Sequence, residues 1–197
     1  VKRGTYIVDE GNRDIAVEIV NLTKAFYTPA GPKIAVDGIT YAIDKNQVFA
    51  LLGHNGAGKS TTINMLVGNM DIDDGDALVF GCSAKDDYDT VSKSMGVCPQ
   101  HDILWDYLSG REHLELFAML KGVEADKIDE EVRVRLEEVN LTHAQNVQAG
   151  FYSGGMKRRL SIAISLIGDP KIVYLDEPTT GMDPVTRRDV WTAIQKA

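Results

Sequence analysis

Cysteine is scarce in this sequence. Cys82 and Cys98 are the only two, far apart and in no C-x-x-C pattern. That excludes a disulfide framework and fits reduced thiols in a cytosolic setting. With four scattered histidines they form no metal-ligand spacing either. Long apolar runs are missing as well: none reaches the roughly 18 residues a spanning helix needs. No signal peptide opens the chain, so nothing within it is expected to be embedded in a membrane. Basic excess is absent too. The net charge is -8, the opposite of a nucleic-acid binder's basic stripe. A nucleotide ligand stays open, because phosphates are held by local backbone dipoles rather than by net charge. There is no internal repeat, no low-complexity linker and no initiating methionine. The chain starts at Val1 and reads as a segment of a longer protein, with 197 residues for one good-sized domain.

The hydropathy pattern is that of an α/β protein. "IAVEIVNLTKAF", Ile15 to Phe26, alternates and predicts a strand, and "TPAGPKIA" predicts the turn after it. "NQVFALLG", Asn46 to Gly53, is a short apolar run ending in glycine, as in a buried parallel strand. A helix is expected from Gly58 to about Val67. Strands follow in "DDGDALVFG" and "SMGVCPQ". From about Ser109 to Asn140 the period turns helical, with Leu114, Phe117, Ala118 and Met119, then Val132, Leu136 and Val139, at helical spacing. Another helix is expected from about Met156 to Ile167. "PKIVYLDE" predicts a strand ending in acids. "DPVTRRDVWTAIQKA" predicts a final helix with Asp183 as N-cap and Pro184 at the first helical position. The plan is a core of about 1–100 and 169–197 with an all-helical insertion of about 101–168.

"GHNGAGKS", Gly53 to Ser60, fits G-x-x-x-x-G-K-[ST] between an apolar strand and a helix. Glycines let the backbone curl until successive N–H groups of Asn55, Gly56, Ala57, Gly58 and on through Thr61 face one point. The helix dipole adds to them there. Lys59 is placed to reach the β- and γ-phosphates, and Ser60 to give its hydroxyl to Mg²⁺. In "KIVYLDEPTTGMD", Asp176 and Glu177 emerge at the C-terminal edge of an apolar strand, where ligands bind in open parallel sheets. Asp176 suits a hard cation, and Glu177 is placed to polarise an attacking water. Alone, two acids after a strand are a weak signal; with the phosphate loop they predict Mg·ATP.

A third element is "YSGGM", Tyr152 to Met156, a glycine elbow directly ahead of a helix. Taken together, these motifs resemble the nucleotide-binding domain of ABC transporters, over almost the whole chain and in the right order. The elbow resembles the family's signature motif. The fold implied is a P-loop NTPase (RecA-like) core with an all-helical ABC subdomain, truncated at its C-terminus. The resemblance implies that Ser153, Gly154 and Gly155 grip the γ-phosphate of an ATP bound to a second, facing domain in a head-to-tail dimer. That second domain is expected in the same polypeptide. It also implies that Phe26 (with Tyr27 as runner-up) stacks on adenine, and that Gln100 joins Mg²⁺ and the reacting water. Asp183 would lie at the dimer seam; Asp176 and Glu177 would be the Mg²⁺-shell aspartate and the catalytic glutamate. "ALLGHNGAGKSTTINML", "CPQHDILWDYLSGREHL" and "YSGGMKRRLSIAISLIGDP" are similar to the A subfamily, large lipid-moving transporters. The expected activity is ATP hydrolysis that drives transmembrane domains through coupling helices, at the cytosolic face of a membrane and with no nucleic acid partner.

Tyr152 and Met156 depart from the family's leucine and glutamine, and the chain ends at Ala197, before the family's switch histidine. The segment alone is therefore expected to be weak or inactive. Two other readings stay open: a soluble ABC ATPase acting on ribosomes or DNA, and a regulatory module that holds ATP without turnover. His54 and His101 read as variable loop positions, and His113 and His143 as solvated ones. Lys157 to Leu160, "KRRL", reads as the solvated first turn of a helix, with a phosphate-facing role as the alternative. Ile103, Leu104, Trp105 and Tyr107 read either as core or, with Phe151, as the surface that receives a coupling helix.

Overall fold

The structure, a computed structural model, describes residues 14–179, 182 and 184–196. They form two compact units that divide at residues 92 and 93.

The first unit is built on a four-stranded antiparallel sheet in the order β2-β1-β3-β4. Its strands are β1 (Ile15–Thr28), β2 (Gly31–Asp44), β3 (Asp74–Val79) and β4 (Cys82–Ser83). In β1, Val17, Ile19 and Leu22 are buried, and Val17 pairs with Val79 and Ile19 with Ala77 of β3. β1 and β2 form a hairpin around Pro29 and Ala30, with Phe26 opposite Lys33. The turn is legible in the sequence, but β2 is not. Helix α1 (Lys59–Leu66) follows the phosphate loop, and the short α2 (Tyr88–Lys93) closes the unit.

The expected buried strand at residues 46–53 is not formed. Residues 48–54 join no ladder, and Val48, Phe49 and Leu52 are exposed. A parallel strand gains its hydrogen bonds only from parallel neighbours. The sheet of its own unit is antiparallel throughout.

The second unit joins two parallel strands to a helical layer. These are β5 (Met95–Cys98) and β6 (Ile172–Leu175), with α3 (Gly110–Leu120), α4 (Ile128–Glu138), α5 (Gly154–Leu166) and α6 (Pro184–Lys196). The strands pair in register from Met95 with Ile172 to Cys98 with Leu175. Leu114 and Ala118 of α3, Val132 and Leu136 of α4 and Leu160 and Ala163 of α5 lie in one buried cluster. Each buried Leu or Val side chain contributes about 1.5–3 kcal/mol. A Cβ on Gly96 of β5 would stand 1.8 Å from the Ser165 carbonyl oxygen, so α5 presses on the strand where only glycine fits. Helix α3 starts with a capping box: the Ser109 hydroxyl accepts from the Glu112 amide, and the Glu112 carboxylate accepts from the Ser109 amide at 2.7 Å. Asp183, expected as the N-cap of α6, lies outside the described residues. Among the described residues no helix is long and apolar enough to cross a membrane.

Candidate functional site

In the first unit the phosphate loop is an exposed turn leading into α1. Gly58 is the last residue before the helix and has φ 89°. A Cβ there would sit 2.4 Å from the Ala35 carbonyl oxygen of β2. Both the left-handed backbone and the close approach require glycine. The Gly58 carbonyl accepts from the Thr62 amide at 2.8 Å and its hydroxyl at 3.0 Å, which closes the first helical turn. The Lys59 ammonium curls over the loop and donates to the carbonyls of Gly53 at 2.8 Å and His54 at 3.2 Å. A flexible point charge is thereby held against the loop, next in sequence to Ser60 and Thr61 in the first helical turn. His54 keeps its ring on the Asn55 carbonyl, a local contact. Phe26 is partly exposed and Tyr27 fully so. Both border a cavity of about 450 Å³ formed by residues 24–27 of β1 and Gly68 to Asp71 after α1.

In the second unit the C-terminal ends of β5 and β6 lie side by side. The Asp176 amide donates to the Cys98 carbonyl at 3.0 Å, which extends the parallel register by one residue. The loops beyond then converge. The Gln100 side-chain amide donates to the Glu177 carboxylate at 3.1 Å. Glu177 itself has φ 47°, a left-handed conformation rare for a residue with a Cβ. The two side chains assigned to the reacting water therefore touch. The expected Mg²⁺ donors are the Ser60 hydroxyl and the Asp176 carboxylate, read from the motifs, and the Gln100 side chain, implied by the family resemblance. Ser60 belongs to the first unit and Gln100 and Asp176 to the second, and each offers a hard oxygen, the donor type this cation prefers. No cluster of three or more His, Cys, Asp or Glu that could hold a metal ion exists among the described residues.

Helix α5 begins at the glycine elbow. The Ser153 hydroxyl accepts from the Met156 amide at 3.3 Å, an N-cap. Gly154 faces open space: a Cβ there would meet nothing within 4 Å beyond the backbone of its own helix. The amides of Gly154 and Gly155 stand at the positive end of the helix dipole. Asp183 again lies outside the described residues.

The structure corrects two expectations. Arg158, read as part of a solvated turn, is buried, with only 5% of its surface exposed. Its guanidinium donates to the carbonyls of Pro99, Gln100, Asp176 and Pro178 and to the Asp102 carboxylate. A cation so near a helix N-terminus is unfavourable unless acceptors elsewhere hold it, and that is the signal the sequence offers. His113, read as solvated, is fully buried. It falls on the apolar stripe of α3 next to Leu114 and one turn before Phe117, a spacing visible in the sequence. Its Nε2 accepts from the Trp105 amide at 2.9 Å while Nδ1 donates to the Ser109 carbonyl at 2.8 Å. Those bonds specify the neutral ring, and burial pushes its pKa down.

The stretch after Gln100 is not core. Ile103, Trp105 and Tyr107 are exposed, as is Phe151; only Leu104 packs inward. Trp105 stacks on His113 at 5.7 Å. The Gly150 amide donates to the Asp106 carbonyl at 3.0 Å, which holds the backbone before Phe151 beside the backbone before Tyr107.

The ABC transporter sequence pattern matches residues 36–180. ABC transporter A family member 2 of Arabidopsis thaliana is 51% identical over 195 residues, an alignment covering 93% of this chain. The chain spans only 20% of that relative's length. Among solved structures, an ATP-binding subunit of an ABC transporter superposes with a TM-score of 0.80 at 26% identity, covering 92% of this chain and 74% of that one. The fold is also that of a dimeric bacterial ABC transporter cassette, with a TM-score of 0.82 at 23% identity over 91% of this chain and 82% of that one. The phosphate loop, the strand-end carboxylates and the glycine elbow thus stand within a cassette fold of this kind, and the chain belongs to the ABC transporter family, most like its A subfamily.

Proposed function

We propose that this chain binds and hydrolyses Mg·ATP to power a membrane transporter, and that the cargo is a lipid in view of its A-subfamily wording. The observation that carries the reading is the contact between Gln100 and Glu177 at the C-terminal edge of β5 and β6. A carboxylate held by a neutral amide can accept a proton from an attacking water. Lys59 and the amides from Asn55 to Thr61 would neutralise the phosphates, Ser60, Gln100 and Asp176 would hold the cation, and Phe26 would stack on the adenine. The cation these residues would hold would offset the charge that develops on the phosphates.

In this proposal Ser153, Gly154 and Gly155 act on the nucleotide of a second domain of the same polypeptide, with Asp183 at the seam. The free Cβ direction of Gly154 supports a surface meant to be approached closely. The apolar surface of Ile103, Trp105, Tyr107 and Phe151 would receive a coupling helix of a transmembrane domain, at the cytosolic face of the membrane. The domain is one cassette, with its core at about 1–100 and 169–197 and its helical subdomain at about 101–168.

The test is Glu177→Gln in the complete protein. Turnover is expected to fall by about 10²–10⁴-fold, the usual worth of a general base, with ATP affinity kept. Undiminished turnover in a folded Glu177→Gln protein refutes the assignment.

A further inference from the structure

Arg158 is a buried charge that the proposed chemistry does not use. It sits on α5, the helix whose first residues are Gly154 and Gly155. Its Nη2 donates to the Asp176 carbonyl at 2.8 Å and its Nε to the Pro178 carbonyl at 3.0 Å. These carbonyls stand on either side of Glu177, whose own backbone is left-handed. Its Nη1 donates to the Pro99 carbonyl, the Gln100 carbonyl at 3.3 Å and the Asp102 carboxylate at 3.2 Å. One planar fork therefore grips the backbone of both loops whose side chains meet in the Gln100–Glu177 contact.

We infer that Arg158 is a positioning residue: it holds Glu177 in its left-handed conformation, fixes Gln100 against it, and ties both to the helix that carries the glycine elbow. The inference rests on the ATP-hydrolysis reading above. The left-handed backbone at Glu177 is disfavoured for a residue with a Cβ and persists only where the surroundings over-determine it. Two charge-assisted bonds to the flanking carbonyls do so. Lysine cannot replace the fork, since its single ammonium cannot span acceptors on two loops in fixed directions. Movement of α5 at the elbow would in this way be passed to the carboxylate that faces the water.

The experiment compares Arg158→Lys, Asp102→Asn and Glu177→Gln with wild type in the complete purified protein. Steady-state ATPase kinetics give kcat and KM. Binding of a fluorescent ATP analogue gives affinity, and hydrogen–deuterium exchange of peptides covering Pro99 to Asp102 and Asp176 to Pro178 gives loop order without nucleotide. Arg158→Lys is expected to lower kcat about 100-fold, the penalty for misplacing a reacting group by about 1 Å. KM and analogue affinity should stay within about threefold, because the phosphate loop is untouched. Exchange at the two loop peptides should rise about tenfold, as one charged hydrogen bond is lost from each. Asp102→Asn removes the negative charge from only one of the acceptors and should lower kcat a few-fold at constant KM; it decides the matter if Arg158→Lys does not fold.

Unchanged kcat in a folded Arg158→Lys, or in Asp102→Asn where that variant must decide, overturns the inference. So does a loss of kcat accompanied by equal losses of affinity and thermal stability, which marks a merely structural residue. A Glu177→Gln protein that is inactive beside a fully active Arg158→Lys sinks this inference alone. A fully active Glu177→Gln sinks the hydrolysis reading and this one with it.

Discussion

Substituting Gly58 by alanine isolates how much the phosphate loop depends on one backbone position. Two costs add there. The left-handed φ of 89° costs a Cβ-bearing residue about 1–2 kcal/mol. The new Cβ would also lie 2.4 Å from the Ala35 carbonyl oxygen and 3.1 Å from Val36 Cγ2. Relieving such an overlap by shifting packed backbone costs about 1–3 kcal/mol more, for a total of about 2–5 kcal/mol. Gly56 provides the control. Its φ is 83°, but a Cβ there meets nothing within 4 Å, so Gly56→Ala should cost only the conformational part, about 1–2 kcal/mol. Part of the Gly58 cost would be met by moving the loop away from β2 and tilting the first amides of α1. ATP affinity should then fall by at least tenfold in Gly58→Ala, since about 1.4 kcal/mol suffices for that. Thermal unfolding and titration with a fluorescent ATP analogue read the two effects on the complete protein. Equal destabilisation and equal affinity in the two alanine variants would refute the reasoning, because the expected difference lies wholly in the contacts with Ala35 and Val36.

Two further expectations follow from the elbow and from the buried imidazole. Gly154→Asp should leave folding intact, since its Cβ direction is open and an acid suits a helix N-terminus; it should nevertheless abolish ATPase activity by repelling the facing phosphate, with ATP binding by the isolated domain within a few-fold of wild type. Burial lowers the pKa of His113 below 6.5, so the unfolded state binds more protons and stability should decline as pH falls from about 6.5 through the folded value. Denaturant titrations should show that slope in wild type and not in His113→Phe, whereas loss of the Glu112 capping carboxylate, whose pKa is held down by the Ser109 amide, belongs to the window below 4.5.

What is legible in the sequence is local. The G-x-x-x-x-G-K-S pattern can be read because its residues are contiguous, and in the structure they form one turn leading into α1. Asp176 and Glu177 can be placed at a strand end because four apolar residues before them set the period. The failures share a different cause. An apolar run such as residues 46–53 fixes neither its partner nor the direction of its neighbours, and pairing is what makes a strand. Strand β2 escapes a sequence reading because its apolar residues are mixed with glycine, proline and acids and its order comes from the hairpin with β1. For His113 residue type is misleading, and its position on the stripe of α3 is the better guide.

Arg158 shows the limit of local reading most clearly. In the sequence it is one of three consecutive basic residues at a helix start, where each would ordinarily point to water. The neighbours differ in what they find: Lys157 reaches the exposed Asp106 at 3.4 Å, while Arg159 bonds the carbonyls of Val139 and Asn140. Only Arg158 meets carbonyls from two separate strand ends, and those ends come together because β5 and β6 are parallel and in register. A crossover of three helices separates them in the chain, so no window of sequence contains the acceptors with the donor. The same register that aligns Cys98 with Leu175 brings Gln100 to Glu177. The pairing of two short strands thus determines both the contact proposed to act on water and the buried cation that anchors it.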